Sequence, residues 1–173
     1  RQSSPRKLHP SMEHYHRFYE QYAPFFVSMD DSPEEGMALC QSSYEIIPEL
    51  GQGWMDMHEF GNGVMTSRMD WRLAHELQTQ YDDFPDSIYL GLLGYGKTQF
   101  RFGQSSMFDC QPGDIFLRNG DPGICHNNAL GECTLGGVSI DIPRGMIDLL
   151  DEQRLDMRVI GQRNSYQVFK ASE

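Results

Sequence analysis

Between Ser87 and Asn128, turn residues recur at nearly even intervals, and the short segments between them alternate apolar with polar side chains. That rhythm is what consecutive antiparallel strands joined by tight turns require, and it leaves no room for a helix of ordinary length. Ile88, Leu90 and Leu92 fall on one face of a strand, with Tyr89 and Leu93 on the other. Gly94-Tyr95-Gly96 turns the chain, and the returning strand sets Thr98, Phe100 and Phe102 against Gln99 and Arg101. Met107 to Cys110 leads to a turn at Pro112-Gly113-Asp114, and Ile115 to Asn119 leads to another at Gly120-Asp121-Pro122-Gly123. The expected fold class is mainly β, an antiparallel barrel or double-sheet roll.

The flanks extend this pattern. Trp54 to Phe60 reads as a strand and Gly61-Asn62-Gly63 as its turn; Met65, Met69, Trp71 and Leu73 then form one face of the next strand, opposite Arg68, Asp70 and Arg72. His75 to Asp86 is polar, with an edge strand and the loop Tyr81 to Pro85. Downstream, Glu132 to Ile142 sets Thr134, Val138 and Ile140 against Leu135 and Ser139, and Gly136-Gly137 permits a bulge. Pro143 is placed to start a helix with Met146, Leu149 and Leu150 on its buried side, and Tyr166 to Phe169 is a last β-like piece.

The N-terminal part reads differently. Arg1 to Pro10 is a polar arm. From Ser11, Tyr15, Phe18, Tyr19 and Tyr22 recur at helical spacing until Pro24, a stripe that packs on the barrel or closes over a bound ligand. Ser32-Pro33-Glu34-Glu35 has the form of a capping box, which predicts a short helix through Met37 and Leu39, and Pro48 with Gly51-Gln52-Gly53 marks the boundary to the β region. The expected layout is one domain: arm and short helices over 1–50, barrel over 51–142, helix and tail over 143–173. At 173 residues such a chain buries about 70% of the surface its unfolded form exposes.

The order of these pieces carries a resemblance. An apolar strand ending in Gly94-Tyr95-Gly96, a strand closing on Gly103, the Pro112-Gly113-Asp114 turn, an apolar strand into Asn119-Gly120-Asp121, and a long strand leading to a helix together resemble the N-terminal cupin-like ligand-sensing domains of AraC-type transcription regulators. Within them, the likeness is to the branch that responds to siderophores such as pyochelin. The resemblance covers roughly half the chain. It implies a cupin-like barrel that binds an effector, such as a ferric siderophore, and controls a helix-turn-helix DNA-binding module outside this chain. It also implies dimerisation through helices beyond the barrel, here the one near Met146, Leu149 and Leu150. Covering an open barrel end is an equal role for that helix. A soluble, cytoplasmic domain is expected separately, from the lack of a membrane-spanning apolar run and of a charged leader in the sequence.

A formal charge of −11 makes the chain itself a poor partner for a phosphate backbone, which is held by clustered Lys and Arg. No apolar run of membrane-spanning length is present in the sequence. Cys40, Cys110, Cys125 and Cys133 lack zinc-site spacing and read as reduced thiols, a disulfide being the alternative. His14 and His16 stand at i and i+2, on different sides of a helix, so they do not form a metal pair. Pro122-Gly123-Ile124-Cys125-His126 is similar to part of a cupin metal motif, with His126 at a ligand position, but Leu77 to Ser87 contains no His to complete the set. No metal and no cofactor is therefore expected. The paired carboxylates Asp30-Asp31, Glu34-Glu35 and Asp82-Asp83 lie in polar loop or cap settings, and no nucleophile elbow or dinucleotide-binding loop is present in the sequence.

What remains is a pocket. Ten methionines, two tryptophans and many other aromatics suit an adaptable apolar lining with a few polar anchors. The candidates are Trp54, Met65, Met69, Trp71, Tyr89, Phe100, Arg118 and His126. Each also reads as ordinary core, and for the Met and Phe positions that is the preferred reading. Arg118 alternates with apolar neighbours, so it either faces solvent, the preferred reading, or enters the interior beside an anion from the protein or a ligand. The resulting expectation is a binding module that is not an enzyme. The alternatives are a stand-alone cupin-like enzyme with a metal-free or unrecognised site, and a structural β domain with a filled interior.

Overall fold

The structure is a computed structural model and describes residues 20–34, 39–60, 62–130, 134–152 and 161–171. Short alternating segments become strands: β1 (Phe26–Glu34), β2 (Leu39–Ile46), β3 (Gly51–Glu59), β4 (Met65–Leu73), β5 (Leu77–Tyr81) and β6 (Ser87–Tyr95). They are followed by β7 (Thr98–Phe102), β8 (Phe108–Cys110), β9 (Ile115–Asn119), β10 (Cys125–Ala129), β11 (Thr134–Pro143), helix α1 (Arg144–Glu152) and β12 (Ser165–Phe169). One sheet has the order β1-β2-β3-β4-β11-β6-β9-β12 and the other β5-β10-β7-β8. Every pairing between them is antiparallel.

From β4 to β11 the chain passes repeatedly from one sheet to the other. Strands 4, 11, 6 and 9 lie side by side in the first and 5, 10, 7 and 8 in the second. That order is the double-sheet jelly roll of two Greek keys, the architecture on which cupins are built. Its interior is the space between the sheets. Strands β1 to β3 widen the first sheet at one edge and β12 at the other. The expected bulge is found where β11 shifts register against β6 between Gly136 and Gly137. At the start of β3 the backbone runs so close to β4 that a Cβ on Gly53, at φ +137°, would stand 2.1 Å from the Asp70 carbonyl oxygen. Only glycine meets both conditions.

Two expectations are corrected here. The helix expected from Ser32-Pro33-Glu34-Glu35 does not start at Ser32: Ser32, Pro33 and Glu34 belong to β1 and pair with Gln41, Cys40 and Leu39 of β2, while residues 35–38 lie outside the described residues. A local cap signal has yielded to sheet pairing, and β1 is an edge strand, where a proline without an N–H is tolerated. Among the described side chains of α1 the buried one is Ile147, while Leu149 is 55% exposed and Met146 half-buried; that of Leu150 lies outside them. Pro143 ends β11 and does not open the helix, so the face turned to β6 and β11 is one step out of phase with the expected one. The helix expected from Ser11 lies largely outside the described residues; a turn at Gln21 and Tyr22 and a 3-10 turn at Ala23–Phe25 lead into β1.

Candidate ligand chamber

Strand parity decides which side chains meet between the sheets. From the larger sheet come Met55, Met69, Trp71, Tyr89, Phe116 and Arg118; from the smaller come Tyr81, Thr98, Phe100, Phe102, Cys125 and Asn127. Each set repeats every second residue along its strand, as a pleated backbone requires. Together they enclose a chamber of about 180 Å³. Its aromatic side is close to a stack: Phe100 and Phe116 lie 5.5 Å apart between centroids, Phe102 and Phe116 are inclined by only 3°, and Tyr166 of β12 stacks on Phe102 at 4.5 Å. Tyr22, ahead of β1, stacks on Tyr81 at 4.6 Å and closes the lining there.

Apart from Arg118, the described polar groups on these walls are neutral. Ser67 and Ser139 share a hydrogen bond of 2.7 Å across β4 and β11, and the Tyr89 hydroxyl bonds to Ser139. On the facing sheet the Thr98 hydroxyl donates to Asn127 Oδ1 at 2.8 Å. Burial pushes the Tyr81 phenol up to about 12, partly countered by hydrogen bonds to Thr79 and Tyr22. Tyr89 is raised for the same first reason. The Cys125 thiol is pushed up to about 12 by burial, against a small opposing effect of Arg118, and Cys110 is raised by burial and by Asp114. Both are free, buried thiols, poorly suited to nucleophilic chemistry at neutral pH.

The chamber ends at Arg118, which is 2% exposed. The solvent-facing reading of this residue is corrected: its guanidinium lies inside, on an anion supplied by the protein. Nη2 donates to Ser87 Oγ at 3.0 Å and Asp141 Oδ2 at 3.4 Å, and Nη1 to the carbonyls of Pro85 at 3.0 Å and Gly120 at 2.5 Å. Its plane also covers the rings of Phe84 and Tyr89 at 5.0 and 5.8 Å. Burying a guanidinium is tolerable only with this degree of pairing.

Of the eight residues singled out in the sequence, five line the chamber: Met69, Trp71, Tyr89, Phe100 and Arg118. Three do not. Trp54 is 38% exposed on the outer face of β3, under the guanidinium of Arg68 at 5.2 Å. Met65 is buried core at the start of β4 and outside the lining. His126 alternates with Cys125 and Asn127, so it points to the outer face of β10, where its neighbours in register are Gln80 and Arg101. A one-residue step reverses the face of a strand side chain. The same parity would have revealed lining residues that the sequence reading passed over: Phe116 is two positions before Arg118, and Thr98 and Phe102 flank Phe100. Ser67, Thr79, Tyr81 and Asn127 lie in polar stretches with no signal of their own.

Among the described residues no cluster of three His, Cys, Asp or Glu could hold a metal ion. Nor is any helix among them long and apolar enough to cross a membrane.

No protein-family model matches the sequence, and no curated protein matches it. Solved structures are similar in shape. An oxalate decarboxylase from Bacillus subtilis matches with a TM-score of 0.45 at 12% identity, over 66% of this chain and 31% of that one. An oxalate decarboxylase from Lactobacillus farciminis, in complex with formate, matches at 0.44 and 11%, over 81% and 49%. The AraC-like transcriptional activator CuxR matches at 0.47 and 13%, over 88% and 49%. The chain thus spans between about a third and a half of these solved chains. The expectation of a chain that is not an enzyme is corrected by the decarboxylases among these matches and is withdrawn. By its own strand order the chain has a cupin-like fold.

Proposed function

We propose that the chain is the effector-sensing domain of an AraC-type transcription regulator, which takes a small molecule into the chamber and controls a helix-turn-helix module carried elsewhere. The observation that carries this reading is an apolar chamber of about 180 Å³ whose one charged residue among the described lining, Arg118, is already paired by the protein. A route for the signal supports it. The segment Pro85-Asp86-Ser87 touches Arg118 on the chamber side through Pro85 and Ser87. On the outer side Asp86 takes Arg144, the first residue of α1, at 3.2 Å and Arg163 at 2.6 Å. An effector that prefers one placement of Phe84 or Tyr89 would bias this segment and α1 with it, by no more than its differential affinity for the two states. The exposed Leu149 of α1 then belongs to a dimer contact.

The test is native mass spectrometry of the chain, alone and after incubation with an extract of its own cells. A retained small molecule, recovered unchanged, is the expected result. Absence of any bound compound, or recovery of a chemically altered one, overturns the sensing role.

A further inference from the structure

Whatever enters the chamber must satisfy the groups that line it, and these are unevenly supplied. Among the described lining residues Arg118 is the one charged side chain. Both terminal nitrogens of its guanidinium are engaged, on Asp141, Ser87, Pro85 and Gly120, and its charge is paired with Asp141. An anion entering the chamber would find no free cation there, and a cation no carboxylate. Tyr81, Tyr89, Cys110 and Cys125 are neutral at neutral pH, and burial raises each of them further. One fully buried donor on the lining has no partner. Trp71 is 8% exposed and lines the chamber, and its buried Nε1 has no hydrogen-bond partner. A buried N–H without an acceptor is costly, and such an atom in a ligand-sized space calls for an explanation. The near-parallel rings of Phe100, Phe102 and Phe116 give the same space flat walls. A dry cavity of about 150 Å³ is known to take a benzene ring.

Resting on the reading of the chamber as the effector site, we propose that the effector is an uncharged aromatic compound of one or two fused rings. Its ring contacts the phenylalanine walls, and one of its acceptor atoms takes the hydrogen bond of Trp71 Nε1–H.

The test uses the full chain labelled with nitrogen-15. Its two tryptophans give two indole N–H resonances, and the exposed Trp54 serves as internal reference. A Trp54→Phe variant assigns the pair without disturbing the core. The probes are benzamide and 2-naphthol as neutral compounds, benzoate and 2-naphthoate as anions, and benzylamine as the cation. The neutral probes are expected to bind at least about tenfold tighter than the charged ones, since a charge would be desolvated without a partner. They should move the Trp71 N–H resonance downfield and leave that of Trp54 in place. Trp71→Phe should weaken the neutral probes by about five- to tenfold, the usual worth of one hydrogen bond. Equal or tighter binding of a charged probe overturns the ligand class while leaving the chamber a binding site. So does neutral binding with the Trp71 resonance unmoved, a readout that needs no variant at Trp71. Failure of all five probes to bind overturns the class and counts against the sensing role as well.

Discussion

The two ends of the space between the sheets are built on opposite principles. Around Met55, Met69 and Trp71 the lining is apolar, partly empty, and has a donor to spare. Around Arg118 both terminal guanidinium nitrogens are engaged, and Ser87, Asn119 and Asp141 are each at most 1% exposed. The first region tolerates exchange because apolar contact is non-directional; the second does not, since each buried charge depends on its named partner. Space and unmet hydrogen bonds are where a guest is received, and saturation is where the walls are pinned together.

The contrast breaks first at Asp141. Asp141→Ala leaves the Arg118 guanidinium buried without its counter-charge and should cost about 3–5 kcal/mol in urea unfolding. Replacing both partners at once, Arg118→Met with Asp141→Leu, should cost less than the single change, because no orphaned charge remains. If the double variant is the weaker of the two, the pair is not what closes this end.

A second saturated point lies at Asp114, 3% exposed, which accepts from Lys170 Nζ at 2.6 Å, Gln111 N at 2.8 Å and Ala171 N at 3.0 Å and so fastens the end of β12 to the turn before β9. Burial alone would raise its carboxyl, but Lys170 and the two backbone N–H groups hold it below its ordinary 3.8. A depressed folded value means that the stability it confers is complete above 3.8 and is lost as pH falls through the folded value. Lys170 is shifted the other way, above its ordinary 10.5 by Asp114, so its share is full below 10.5 and is lost as pH rises through the folded value. Asp114→Asn should therefore cost about 2 kcal/mol at pH 7, the scale of a charged hydrogen bond. The deficit should shrink as the wild type is acidified below pH 4, in thermal melts across that range.

These regions differ equally in how far they could be read from sequence. The strands of the jelly roll followed from alternation and turn residues, and with them the inward faces of β4 and β7. Parity was the tool, and the inward set was missed where it was not applied: Trp54 was chosen by residue type and His126 by its place in a motif, and each stands one position off the inward set. Arg118 could not be placed because its partners are far apart in the chain, Asp141 lying 23 residues on and Ser87 31 back. Ser32-Pro33-Glu34-Glu35 misled for the opposite reason, a strong local signal overruled by a pairing partner at Leu39 to Gln41.

On the chamber side the expected effects are smaller. Met69→Leu keeps volume and apolarity beside open space, so it should cost less than about 1.5 kcal/mol. A loss of the size expected for Asp141→Ala would mean that Met69 is locked in a filled core and that the two ends are built alike.

The smallest effect belongs one residue earlier on the same strand. Arg68 points outward, 60% exposed at the side chain, and donates to Asp56 Oδ2 from Nη2 at 2.8 Å and from Nε at 3.0 Å. Its guanidinium also covers Trp54 at 5.2 Å. In water both interactions are weakened by competing hydration and screened by salt, so Arg68→Ala should cost only about 0.2–1 kcal/mol, and less still in 0.5 M salt. Arg118 and Arg68 each pair with an aspartate and cover an aromatic ring, yet the expected costs of breaking their pairs differ several-fold because one pair is dry and the other wet. Urea titrations of Arg68→Ala and Asp141→Ala at low and high salt would measure that difference directly. A salt-insensitive loss above about 2 kcal/mol at Arg68 would show that the outer face of β4 is covered by another part of the protein and is not a solvated surface.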